Sequence, residues 1–327
     1  WCSEAALTNQ VGDVGTVITI TGDLDLYSKW KYRSVYAFYK SGELTFSSYS
    51  DTVSNYTARW DITNSTYTEN AQIEWQSYRT SITTATFADE IVPRSIKYWF
   101  YGCTNLSTIR SLDADKQVIG VFNNLNTTYC TDMGFLFRNC TSLTGELDLT
   151  SLNTSVCTYM YGMFLGVSNV ERINVTNWRV NNVTDMSYMF SSGTTSTYIE
   201  LEEIVGINTW NVSSLSVMLG MFQGCHNIET LDLSNWETSS ATIMRNVFRN
   251  CTSLSSLDIR KFDNSSITNY SGSYYNTASF INGCTSLADG SVTIGSNWNT
   301  SKDNKVSTSY GTWYNGNKII TPTQVSN

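Results

Sequence analysis

The sequence predicts an α/β solenoid, a stack of units that each pair a short helix with a short strand, set between a β-rich N-terminal region and a C-terminal β cap. Three observations carry this expectation. Phenylalanines recur at 137, 164, 190, 222, 248 and 280, spaced by 26, 27 or 32 residues. All eight methionines fall into two columns, 133, 160, 186, 218 and 244, then 163, 189 and 221. Within each unit the apolar period changes from helical to extended. A fixed period of this length marks a stacked architecture, because one unit cannot bury its apolar face alone.

Residues 1–85 carry β-prone stretches, Val17-Ile18-Thr19-Ile20 and Ala58-Arg59-Trp60-Asp61-Ile62, between Gly- and Ser-rich turns. They read as a small β domain that also caps the stack. Residues 86–301 hold the repeats, opening with a degenerate unit from Phe87 to Leu106 that contains Tyr98-Trp99-Phe100-Tyr101-Gly102-Cys103. Met218, Met221, Phe222 and Cys225 stand at i, i+3, i+4 and i+7, one apolar face of a short helix. Thr184 before Met186 suits an N-terminal cap. Leu231 and Leu233 then face one way and Asp232 the other, as in a strand. An aromatic or leucine column follows at Leu125, Leu152, Trp178, Trp210, Trp236, Phe262 and Trp298. Gly193–Ile199 and Asn269–Ser279 are insertions that predict protruding loops. Residues 302–327, with Tyr310–Tyr314 and Lys318-Ile319-Ile320, read as a short hairpin cap.

The register of Leu254, Leu257, Ile259 and Phe262 is that of a leucine-rich repeat with an aromatic in the usual Asn/Cys slot. The whole unit of about 26 residues, M-x-x-M-F-x-x-C-x-x-L-x-x-L-D-L-S-x-W, resembles the BspA-like leucine-rich repeat surface proteins over roughly residues 86–301. That resemblance implies a secreted or cell-surface protein engaged in adhesion and binding rather than catalysis.

Composition agrees with that class. Charged residues make up 15% of the 327-residue chain, against about 25% in ordinary soluble domains. The net charge of −8 disfavours nucleic acid and anionic membranes as partners. No run of about 18 apolar residues appears, so no membrane span is expected. The chain opens Trp1-Cys2 with no initiator methionine, which reads either as a mature secreted protein after signal removal or as a trimmed chain, and the first is the expectation taken. Polarity comes from 86 serines and threonines and 31 asparagines. Thirteen Asn-x-Ser/Thr sequons result: Asn55, Asn64, Asn105, Asn126, Asn139, Asn153, Asn174, Asn182, Asn211, Asn250, Asn264, Asn269 and Asn299. Chance alone would give about 8, so the excess supports N-linked glycans on an extracellular protein. Asn126, Asn153, Asn211 and Asn299 directly follow the aromatic column and would form a stripe of sugars.

The eight cysteines, an even number, agree with an oxidising compartment. Cys103, Cys140, Cys225, Cys251 and Cys284 occupy one repeat column and are either disulfides between adjacent coils or a ladder of buried thiols. Cys130 and Cys157 share a second position, seven residues before a phenylalanine, and read most simply as a disulfide pair. Cys2 has no assignable partner. The methionine and phenylalanine columns read as core. Asp148, Asp232 and Asp258 share an outward strand position, either solvated or bridged by a cation, and Asp113-Ala114-Asp115 lacks the glycine and glutamate of a calcium loop. His226, the one histidine, falls in a variable slot and reads as a surface residue, so no Ser/His/Asp or Cys/His arrangement can be assembled. Phosphate-binding glycine loops are absent too. No catalytic residue, cofactor or metal is expected. Trp75, Tyr274, Tyr275, Trp313 and Tyr314 either stack on sugars or another subunit, or cover the cap edges.

Two functions fit. In the first, a non-enzymatic extracellular or cell-surface glycoprotein assembles with itself into a filament or layer. In the second, a monomeric adhesin binds a protein or glycan through its repeat face or insertions.

Overall fold

The structure, a computed structural model, describes residues 34–50, 52–63, 65, 67–69, 72–193, 198–268, 279–300, 313 and 320–326. Cys2, Asn64, Asn269, Tyr274, Tyr275, Tyr314, the Val17–Ile20 stretch and both halves of the expected C-terminal hairpin except Trp313 and Ile320 lie outside the described residues.

The chain folds as a β-solenoid. A six-stranded sheet opens it, in the order β3-β1-β2-β4-β5-β6. Its strands are β1 (Tyr36–Lys40), β2 (Glu43–Ser47), β3 (Ala58–Asp61), β4 (Thr84–Phe87), β5 (Thr108–Leu112) and β6 (Val118–Gly120). β1 and β2 form an antiparallel hairpin, β3 adds antiparallel to the other side of β1, β2-β4 and β4-β5 are parallel, and β6 folds back antiparallel on β5. Three parallel strands follow, β7 (Thr144–Asp148), β8 (Asn169–Asn174) and β9 (Glu203–Val205). Four more close the described chain: β10 (Thr230–Asp232), β11 (Ser256–Ile259), β12 (Val292–Ile294) and β13 (Thr323–Gln324). One apolar core runs from Val35 to Ile320 through every coil, and β4 joins the three antiparallel N-terminal strands to the first coil in a single sheet.

The α/β expectation is overturned, because the predicted helices are chains of tight turns. Among the described residues the helical elements are two 3-10 segments, Gln76–Ser81 and Ile207–Thr209. In an α-helix every amide bonds the carbonyl four residues back. Here alternate amides run to the next coil instead. Met133, Phe135, Phe137 and Asn139 donate to the carbonyls of Tyr159, Tyr161, Met163 and Leu165 at 3.0, 2.8, 2.8 and 2.8 Å. Each turn segment also passes through the left-handed region two residues after its leading residue, at Tyr98 (φ 63°), Phe135 (58°), Gly162 (56°), Tyr188 (55°), Gly220 (57°) and Asn246 (60°). No right-handed helix survives such a residue. Two consecutive tight turns still aim positions i, i+3, i+4 and i+7 inward, which is why the sequence period mimics a helix. The leucine-rich-repeat-like unit of helix plus strand is therefore a unit of turns plus strand.

Thr184 is not a helix cap either. Its amide and hydroxyl both reach the Thr158 carbonyl, at 3.0 and 3.3 Å, and Thr158 does the same to Thr131 at 2.9 and 3.2 Å. A second rank lies inside. Thr154 Oγ1 donates to the Arg179 carbonyl (3.1 Å) and accepts its amide (2.8 Å), and Thr238 repeats the arrangement on Asp263 (3.1 and 2.9 Å). Hydroxyls thus tie each coil to the next, which accounts for their abundance.

The core is a pair of aromatic stacks. Phe100, Phe137, Phe164, Phe190, Phe222 and Phe248 lie face to face, with centroids 5.4–5.8 Å apart and planes within 17°. Trp178, Trp210, Trp236 and Phe262 form the second stack at 5.9–6.3 Å and within 11°. Each such pair adds about 0.5–1.5 kcal/mol to the burial of its rings. Phe280 leaves its column. The Phe248 amide meets the Phe280 carbonyl, whereas its counterpart Phe222 meets Val247, so Ile281 takes the inward slot and Phe280 packs edge-on to Phe248 at 89°. Trp298 and Trp313 close this end over Phe280.

Candidate functional site

On the outer side of the turns, rings from four coils form a continuous half-buried band of Tyr98, Tyr101, Phe135, Tyr159, Tyr161 and Tyr188. Tyr98 stacks on Phe135 (4.9 Å, 6°), Phe135 leans on Tyr161 (4.9 Å), and Tyr161 meets Tyr188 edge-on (5.7 Å). Glycines in neighbouring coils make the room. A Cβ on Gly134 would lie 2.8 Å from the Tyr159 ring, on Gly162 3.1 Å from Phe135, and on Gly220 2.7 Å from Tyr188.

Cations are built into the band. Lys97 Nζ pairs with Asp132 Oδ2 at 2.9 Å and sits 4.7 Å from the Tyr159 ring centroid, and the Arg138 guanidinium lies 5.3 Å from that of Tyr101. Burial, with the Asp185 and Asp132 carboxylates alongside, holds the Tyr159 phenol well above the ordinary tyrosine range. Burial also raises Tyr98, seconded by Asp132, and Tyr161, seconded by Tyr188. Like any tyrosine these phenols are hydrogen-bond donors at neutral pH, and the upward shift extends that state further into alkaline solution.

Three members of the band hold a backbone conformation that bulky residues rarely adopt, Tyr98, Phe135 and Tyr188, in the slot that glycine fills in two other coils. Backbone strain of about 1–3 kcal/mol at such positions concentrates at functional sites. Sequence reasoning missed the band because its rings come from different repeat positions. Tyr161 precedes the left-handed residue of its coil, whereas Phe135 and Tyr188 are that residue.

A polar crevice of about 740 Å³ lies on the sheet side, where the ladder is interrupted between β9 and β10. Glu202, Glu203, Glu229 and Asp232 line it, and Arg172 already pairs with Glu203 at 3.1 Å. Two of the three outward aspartates, Asp258 and Asp232, have a cation beside them, while Asp148 accepts the Thr150 amide at 3.0 Å. Arg260 forks onto Asp258, while Ser234 hydrogen bonds and then Arg260 hold Asp232 below the usual carboxylate range. Among the described residues no group of three or more His, Cys, Asp and Glu side chains could hold a metal ion.

The remaining sequence expectations are redistributed. Ten sequon asparagines are exposed or half-exposed: 55, 105, 126, 139, 153, 174, 182, 211, 250 and 299. Asn264 is fully buried, its amide accepting the Asn299 N–H (2.9 Å) and donating to the Asn299 carbonyl (3.3 Å), so this position is withdrawn as a glycan site. The expected Cys130–Cys157 disulfide is absent, and Cys103, Cys140, Cys225, Cys251 and Cys284 are free thiols as well. Equivalent positions in stacked coils have parallel Cβ directions about 4.8 Å apart, wider than the ~3.8 Å a disulfide prefers. The thiols point instead at carbonyls, Cys140 at Phe100 (3.0 Å) and Cys225 at Phe190 (3.3 Å). Burial pushes Cys103 and Cys157 up to about 12. At neutral pH their thiolate fraction then falls about three orders of magnitude below that of an ordinary cysteine. A thiol reagent such as dithionitrobenzoate is expected to leave these two cysteines unmodified in the native protein and to react within minutes of adding denaturant. Rapid native reaction at either one would contradict this placement.

His226 is buried rather than on the surface. Its Nδ1 lies 3.3 Å from Thr252 Oγ1, and the insertion ending at Ile199 lays Tyr198 over its ring at 4.5 Å. Trp75 is also buried, donating its indole N–H to the Trp99 carbonyl, and Trp313 belongs to the core.

The sequence matches the family described as "Mycoplasma protein of unknown function, DUF285" twice, over residues 94–198 and 194–320. The chain belongs to this family. The two family segments together take in the entire aromatic band and both parallel sheets from β7 to β12. No curated protein and no solved structure matches the chain. No helix among the described residues is long and apolar enough to cross a membrane.

Proposed function

We propose that this chain is a non-enzymatic extracellular or cell-surface protein that holds a partner, protein or glycan, against the aromatic band. The observation that carries this reading is the retention of Tyr98, Phe135 and Tyr188 in a left-handed slot where glycine would be unstrained. Aromatic rings with protonated phenols and fixed charges beside them are the side chains most used in recognition. The resemblance to BspA-like surface proteins and the ten accessible sequons support an extracellular location. Buried free thiols carry no sign of an oxidising compartment.

The test replaces Tyr98, Phe135 and Tyr188 singly with glycine. Relief of backbone strain offsets lost stacking, so thermal stability is expected to change by less than about 1 kcal/mol. Binding to protein and glycan arrays is expected to fall at least about tenfold. Stability losses near those of a core residue, with array binding unchanged, would reduce the band to packing.

Self-assembly is the second reading. Its support is the end of the stack, where β13 pairs with β12 alone among the described residues. Light scattering across protein concentration separates the two.

A further inference from the structure

The free edge of the N-terminal sheet differs from its other edge. At β3 the outermost strand alternates half-buried Ala58 and Trp60 with exposed, charged Arg59 and Asp61. Charges of that kind are a standard protection of sheet edges. At the opposite end β6 is Val118-Ile119-Gly120, pairing among the described residues with β5 alone. Val118 is 62% exposed and Ile119 42%, and successive strand residues face opposite sides. Both faces of this edge are therefore apolar and bare. Beside it runs a groove of about 520 Å³ between the hairpin and the loop after β2, with Ile119, Leu112 and Ala88 along it and Tyr49, 64% exposed, at its mouth. Asp89 anchors that loop by accepting the Ser48 amide at 2.7 Å. Asp89, Glu90 and Asp113 line the groove against a single Lys116.

We infer that the β6 edge and this groove take an extended, basic segment of another protein, which adds a strand to the six-stranded sheet. Unpaired backbone groups of an edge strand supply the hydrogen bonds, and the alternating side chains of the added strand supply the selectivity. Its apolar residues would cover Ile119 and Tyr49, and its basic residues would face the three carboxylates. The lining sets the sign of the partner. A second copy of this chain, itself at −8, is the less favourable occupant. The β6 edge shares no residue with the aromatic band, which lies on the turns.

The test uses the full chain and a fluorescent, acetylated peptide of alternating valine and lysine, with a valine–glutamate peptide as control. Fluorescence anisotropy reads affinity, and amide hydrogen exchange reads protection at 117–121. Saturable binding of the lysine peptide, slowed exchange at β6, and affinity at least about tenfold weaker for the glutamate peptide are expected. Ile119→Pro removes an edge donor, and Val118→Lys places a cation on the edge. Both are expected to abolish binding while Phe135→Gly leaves it intact. Absence of saturable binding, equal binding of the two peptides, or binding that survives Val118→Lys in a variant of wild-type thermal stability would overturn the inference. A wild-type dimer that Val118→Lys renders monomeric would overturn it too, by giving the edge to a second copy.

Discussion

Phe222→Ala is expected to destabilise the protein by about 3–5 kcal/mol, lowering its melting temperature by about 5–10 °C. The ring is fully buried, stacked between Phe190 (5.6 Å) and Phe248 (5.4 Å), with Trp236 on its flank at 6.4 Å. Neighbouring coils move apart only by breaking their shared ladders, so the space cannot collapse and the cavity cost stays high. A solenoid holds together through contacts between adjacent coils. Removing a central ring therefore weakens the junction as well as the coil, and calorimetry is expected to split one unfolding transition into two. Tyr129→Ala serves as the control. Its side chain is 65% exposed, and a change within about 0.5 kcal/mol is expected. Equal losses from the two variants would contradict the stacked core.

Gly206→Ala is expected to cost about 2–4 kcal/mol, for reasons that are entirely local. The residue has φ 88° and ends β9, where the chain turns into the Ile207–Thr209 segment. A Cβ there would lie 2.8 Å from the Thr176 Cα and 2.9 Å from its nitrogen. Backbone atoms cannot swing aside as a side chain can, so β8 and β9 would have to separate. Gly145 is the comparison, since its φ is 66° but its Cβ would meet nothing within 4 Å. Gly145→Ala should show the conformational cost alone, about 1–2 kcal/mol. Equilibrium denaturation of the two variants separates clash from strain, and similar values would remove the clash.

What the sequence made legible is the inward pattern. The columns at Phe137, Phe164 and Trp236, and the degenerate unit at Phe100 and Cys103, all lie where their spacing put them, in one core. Secondary structure was less legible because two tight turns and one helix bury the same i, i+3, i+4, i+7 set. A signal was nevertheless present. Gly162, Gly220 and Asn246 share one slot, and a helix interior has no use for two glycines and an asparagine there. The displaced Phe280 had its signal as well, since Cys284 follows it by four residues where Cys251 follows Phe248 by three. The even cysteine count misled, because equivalent thiols in parallel coils lie side by side as free thiols and direct their hydrogens to backbone carbonyls. His226 looked exposed because its cover, Tyr198, comes from an insertion that no repeat unit shares. The aromatic band stayed hidden for a similar reason, since rings from two sequence columns converge only once the turns are drawn.

Backbone chemical shifts and nuclear Overhauser contacts across Met160–Val167 and Met186–Gly193 test most directly that these segments are stacked turns displaying an aromatic band. Amide contacts from Met160 and Gly162 to Asp185 and Ser187 are expected, matching the 3.1 and 2.8 Å hydrogen bonds between those coils. Left-handed shifts at Gly162 and Tyr188 are expected with them. A continuous run of helical shifts through Met186–Phe190, with sequential helical contacts and none between coils, would contradict it.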